Sequence, residues 1–83
     1  MTVTEKKIKI RSAVLNAVKF AYGATDAIQP RDIDIRKCPK NGFSVTVHCC
    51  PSMSFFTCYL NSCLEMVGLK ADDVSRVLIT EVA

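Results

Sequence analysis

The sequence predicts an α+β fold in which two helices cover one face of a small antiparallel sheet, and three observations lead to it. Two short runs, Arg31–Lys37 and Phe43–Cys49, alternate apolar and polar residues on either side of the turn-forming pair Asn41-Gly42, the pattern of a β-hairpin with one buried face. Two longer segments, from Ser12 and from Met53, repeat apolar residues at spacings of three and four, the period of a helix with one buried side. Gly23, Pro30, Pro39, Pro51 and Gly68 punctuate the chain between these pieces.

In chain order, the first piece is Lys6–Arg11, which alternates as Lys7-Ile8-Lys9-Ile10-Arg11. As a strand it places Ile8 and Ile10 on one face and the cations on the other, whereas a helix sets Lys7 and Arg11 among Val14, Val18 and Tyr22. A strand is therefore expected, with a continuous helix capped near Thr4 as the competing reading. From Ser12, a second potential cap, Ala13, Val14, Ala17, Val18, Phe20 and Ala21 form the broad apolar side of a largely buried helix that Gly23 ends. The hairpin follows, with Ile33, Ile35, Phe43, Val45, Val47 and Cys49 pointing inwards. Ser52 caps a helix over Met53–Val67, whose apolar side carries Met53, Phe55, Phe56, Tyr59, Leu60, Cys63, Leu64, Met66 and Val67. The β-branched run within Val74–Val82 closes the chain as a strand.

The expected order is β-α-β-β-α-β, the ferredoxin-like plan, with α-β-β-α-β as the variant in which Lys6–Arg11 is helical. The ferredoxin-like plan leaves one sheet face open. It would carry Lys7, Lys9 and Arg11 from the first strand, Asp32, Asp34 and Arg36 from the second, Ser44, Thr46, His48 and Cys50 from the third, and Arg76, Leu78 and Thr80 from the fourth.

Composition bounds the function. At 83 residues, 49% of them hydrophobic and 23% charged, the chain is expected to form one packed α+β domain over residues 1–83. A mean hydropathy of +0.21 is high for that size, which points to self-association, a homodimer or other homo-oligomer, or to a protein partner covering apolar surface. The net charge of +3 is mild for a nucleic-acid binder. An odd set of five cysteines and an N-terminus without an unbroken apolar run suggest free thiols and a cytoplasmic setting, with no membrane partner.

Several constellations were weighed for chemistry. Lys40-Asn41-Gly42-Phe43-Ser44-Val45-Thr46-Val47 resembles the RNP1 segment of RNA-recognition motifs in strand composition, but Phe43 has the parity of the buried positions and Val45 stands where a second ring is needed for base stacking. His48-Cys49-Cys50 joins the single histidine to two thiols, yet the cysteine spacings contain no Cys-x-x-Cys pair, so no metal site is assigned. No cofactor and no catalytic residue is assigned either. The expected function is non-enzymatic binding: an adaptor, regulator or inhibitor of another protein, of the compact kind also found among phage-encoded inhibitors. Its binding residues would be Lys7, Lys9, Arg11, Arg36, Thr46, His48 and Arg76 on the open face, with Phe55, Tyr59 and Met66 as a contact on the second helix. The alternatives are a nucleic-acid module using the basic residues, and a thiol or metal site at His48 and Cys50, with Cys38 as a third ligand.

Overall fold

A computed structural model describes residues 2–23, 28–40, 42–49 and 51–80, and all of their side chains but those of Pro51 and Met53. Two helices, α1 (Val3–Tyr22) and α2 (Thr57–Met66), pack with a sheet of β1 (Ile33–Lys37), β2 (Phe43–His48) and β3 (Val74–Thr80), an α+β class. The element order is α-β-β-α-β and the strand order is β1-β2-β3. The hairpin stands as expected: β1 and β2 are antiparallel, Ile35 faces Val45, and Ile33, Ile35, Phe43, Val45, Val47 and Cys49 are all buried. β3 lies parallel to β2, with Val45 opposite Val77. The parallel pairing follows from the long crossover through α2, which returns the chain to the starting end of β2.

The expected strand over Lys6–Arg11 is instead part of α1, so the sheet has three strands and is mixed. The reason lies at both ends of the helix and in what the cations find. Thr2, in extended conformation, accepts a hydrogen bond from the Glu5 amide at 3.2 Å through its hydroxyl, which caps the helix two residues before Thr4 and ten before Ser12. Ile10 joins Ala13, Val14, Ala17 and Val18 in one buried stripe, while Ile8 is exposed, so the alternation of the two isoleucines does not describe a shared face. Arg11, half-buried beside that stripe, extends its guanidinium to the Ile33 carbonyl at 3.4 Å. Lys9 reaches the Val67 carbonyl at 3.3 Å, just past the C-terminus of α2, where a cation is favoured by the helix dipole. Lys6 pairs with Asp73 at 3.2 Å. The long Arg11 stem thus lies beside apolar surface while its head meets an oxygen, which answers the objection that Arg11 raised to a helix.

Two further boundaries and one burial differ from expectation. β1 starts at Ile33 because Pro30–Asp32 forms a short 3-10 turn, closed by the Gln29 amide donating to Asp32 at 2.9 Å. The helix expected over Met53–Val67 begins only at Thr57, since Pro51–Phe56 is a 3-10 turn, and Ser52 is not its cap. Phe20, expected in the core, is exposed. Asn41, Cys50 and the end of the last expected strand at Glu81 and Val82 lie outside the described residues.

Two glycines fix the ends of elements. Gly42 has φ of +81°, and a Cβ there would stand 2.9 Å from the Asp72 carbonyl oxygen, so the approach of β2 to the turn before β3 requires its bare backbone. Gly68, with φ of +82°, ends α2 and lets the Leu69 amide return to the Leu64 carbonyl at 2.9 Å, a left-handed cap that buries Leu69.

Candidate functional site

The open sheet face is built by the register of the three strands. Arg36, Ser44 and Arg76 form one row across it, and Asp34, Thr46 and Leu78 form the next. His48 sits beside Thr80, whose hydroxyl is hydrogen-bonded to the imidazole Nδ1. Four of the expected binding residues, Arg36, Thr46, His48 and Arg76, therefore do share this face. Lys7, Lys9 and Arg11 do not, because they belong to α1 on the helical side. Arg36 is paired with Asp34 at 3.2 Å at the solvent-exposed surface, an arrangement worth little by itself. Phe43 faces the core, so Leu78 is the large apolar side chain exposed here.

Cys38, the third ligand considered, does not converge with the histidine. Cys38 approaches the Ser75 hydroxyl at 3.1 Å, at the opposite end of β3 from Thr80 and His48, a separation of about 16 Å along a strand. Cys50 lies outside the described residues. Among those described, no group of three or more His, Cys, Asp and Glu side chains is placed to hold a metal ion, and Cys38, Cys58 and Cys63 are free thiols. Burial raises the pKa of the Cys63 thiol, which keeps it protonated as a core hydrophobe.

A cleft of about 330 Å³ opens where α1, β2 and the turn before β3 meet, lined by Val3, Lys6, Lys37, Gly42, Phe43, Lys70, Asp72 and Asp73. Its charges largely answer one another. The Asp73 carboxylate accepts from the Lys70 amide at 2.8 Å and from the Lys6 ammonium at 3.2 Å, and these bonds lower its pKa, the backbone donor contributing most. Lys37 stands over the Phe43 ring, 5.5 Å from its centre.

The helical layer presents a different kind of surface. Phe20 of α1 stacks with Tyr59 of α2 at 6.4 Å between ring centres, and Phe55 meets the same Tyr59 edge-on at 5.8 Å. The backbone holding Phe55 is pinned to α1, since its amide donates to the Tyr22 hydroxyl at 2.9 Å while that hydroxyl donates to the Ser52 carbonyl at 3.3 Å. Although Phe20 and Phe55 both meet Tyr59, the three rings remain 59%, 54% and 37% exposed for Phe20, Phe55 and Tyr59, and Met66, two turns along α2, is 68% exposed. The apolar side of this segment thus resolves into two rows: Phe56, Leu60, Cys63 and Leu64 are buried, and Phe55, Tyr59 and Met66 face outwards.

Sequence reasoning placed Phe55, Tyr59 and Met66 as a partner contact and missed Phe20. A signal for it was present: at about 100° per residue, Phe20 falls about 80° from Ile10 on the helix circle, at the rim of the buried stripe. Comparison with protein-family models, curated proteins and solved structures finds no match to this chain.

Proposed function

We propose that this chain is a small non-enzymatic binding protein, an adaptor or inhibitor of another protein, that also self-associates, and that Phe20, Phe55 and Tyr59 are the anchor of its partner site. The single observation that supports this reading most is the exposure of three aromatic rings, Phe20 and Phe55 each set against Tyr59, on one surface. Aromatic side chains bring large apolar area at little cost in rotamer entropy, and clusters of them are typical of binding hot spots. The backbone under Phe55 is tied by two hydrogen bonds to Tyr22, so the rings are held in place before a partner arrives. A reducing, cytoplasmic setting fits the free thiols at Cys38, Cys58 and Cys63. The nucleic-acid reading, on Lys7, Lys9, Arg11, Arg36 and Arg76, has less support, because Lys9 and Arg11 are engaged with the Val67 and Ile33 carbonyls and Arg36 with Asp34.

The test compares the wild-type chain with a Phe20→Ser, Phe55→Ser, Tyr59→Ser variant as bait in extract of the source cells. A protein retained by the wild type, lost by the variant and indifferent to a rise from about 50 to 200 mM salt is the expected result. Retention abolished by that rise or by nuclease would replace the proposal with nucleic-acid binding, since phosphate contacts weaken steeply with salt.

A further inference from the structure

We propose that the free edge of β3 is the homodimer interface, pairing antiparallel with β3 of a second copy about a two-fold axis at Leu78. The inference rests on the self-association included in the proposed function and gives it a place and a register.

The two edges of the sheet are treated differently. At β1 the edge is five residues long and charged at Asp34, Arg36 and Lys37. The Cys38 amide bonds the Gly42 carbonyl on the hairpin side, so by alternation Ile33 and Ile35 direct their backbone groups outwards. The first of those outward carbonyls, at Ile33, is already taken by the Arg11 guanidinium at 3.4 Å. Shortness, charge and a covering side chain are the usual ways of blunting an edge.

At β3, among the described residues, neither shortness nor a recorded covering contact blunts the edge, and Arg76 is its one charge. Its seven residues, Val-Ser-Arg-Val-Leu-Ile-Thr, contain one charge, no proline and no glycine. The Thr80 carbonyl accepts from the Cys49 amide at 2.9 Å on the β2 side, so Arg76 and Leu78 also bond towards β2 while Val77 and Ile79 turn their amides and carbonyls away from it. Among the described residues, no backbone bond outside the strand pairs reaches those two amides. Burial tells the same story from the core side. The inward residues of β1 and β2 are buried, whereas Val74, Val77 and Ile79 are only half-buried. The core therefore stops short at this edge.

A second copy fits the gap because the strand is complementary to itself. With Leu78 opposite Leu78 of the second copy, Val77 faces Ile79 in a hydrogen-bonded pair on each side of the axis, giving four bonds from the outward groups. Val77 and Ile79 then extend the apolar layer on the helical side. On the open side the two Leu78 side chains, each 40% exposed in one chain, cover one another. Arg76 falls opposite Thr80, so no like charges meet across the axis. The sheet becomes six-stranded and continuous.

Light scattering on a size-exclusion column tests this with the full chain. The wild type is expected to run as a dimer at high concentration, and Leu78→Lys, at an exposed position outside the core, to raise the dimer Kd by about tenfold or more. In hydrogen exchange, the Val77 and Ile79 amides should be protected in the dimer as strongly as that of Leu78 and lose protection on dilution to monomer. In a Cys58→Ser background, Leu78→Cys should be joined to its own copy by oxidised glutathione, because facing residues in a non-hydrogen-bonded pair stand about 4.5 Å apart at Cα. A dimer that survives Leu78→Lys with Val77 and Ile79 unprotected would overturn the edge while keeping self-association. If such a dimer is lost in the Phe20, Phe55, Tyr59 variant, it uses the helical layer. A chain monomeric at every concentration would overturn both, and leave the partner site to be judged by its own bait experiment.

Discussion

Asp73 shows how much one side chain can organise at a junction between elements. Its two carboxylate oxygens hold the Lys70 amide and the Lys6 ammonium, tying the turn before β3 to the start of α1 across 67 positions of sequence. Because these donors favour the charged form, the carboxyl of the folded chain titrates below its ordinary 3.8. The contribution to stability is then present above that value and disappears as pH falls through the lower, folded one. Asp73→Asn is expected to destabilise the chain by about 0.5–1.5 kcal/mol at neutral pH, and urea denaturation across pH 7 to 3 should show the two proteins converging as the wild type becomes protonated. A constant gap over the whole range would mean that the carboxylate charge plays no part. Asp73 was not singled out from sequence because neither of its roles is local in the way a motif is. Gly42 is similar: Asn41-Gly42 announced a turn, but the need for a missing Cβ comes from the Asp72 carbonyl, thirty residues away.

Among the elements, the hairpin could be read from the chain outright and the N-terminal helix only as the competing reading, in the α-β-β-α-β variant that the structure adopts. Period-two alternation over Ile33–Lys37 and Phe43–His48 has one physical meaning when a strong turn separates the runs, and every inward residue named from it is buried. Over Lys7–Arg11 the same alternation is too short to decide, and the oxygens that make a helix possible for Lys6, Lys9 and Arg11 come from Asp73, Val67 and Ile33. Sequence separation hides such partners. The sheet face lost its expected basic strand for the same reason, although Arg36, Thr46, His48 and Arg76 kept their shared side. The cap gives a direct check on the start of α1. Thr2→Ala should cost about 0.5–2 kcal/mol by removing the acceptor for the Glu5 amide, while Thr4→Ala and Ser12→Ala, at exposed helical positions, should change little. Equal and negligible effects at all three in urea denaturation would show that the Thr2 bond does not hold the helix end.

At the scale of the whole molecule, the high hydropathy of the chain divides, among the described residues, between a core and exposed apolar side chains that include the ring cluster of the helical layer and Leu78 of β3. Periodicity alone could not make that division on α2, because an apolar arc wider than one sheet face reads the same whether its rim is packed or bare. The adjacent residues Phe55 and Phe56 separate the two cases with chemistry held constant. Phe56 is fully buried and Phe55 is 54% exposed. Removing the Phe56 ring leaves a cavity in the core, so Phe56→Ala should cost about 3–5 kcal/mol, whereas Phe55→Ala gives up mainly an edge contact with Tyr59 and should cost about 1 kcal/mol or less. Partner retention should separate the pair as well: Phe55→Ala folds and loses the partner, while Phe56→Ala affects binding only through the fraction of chain that remains folded. Equal losses of stability in the two variants would place Phe55 in the core and remove the cluster as a surface, and full retention by a folded Phe55→Ala chain would show that the partner, if there is one, is met elsewhere.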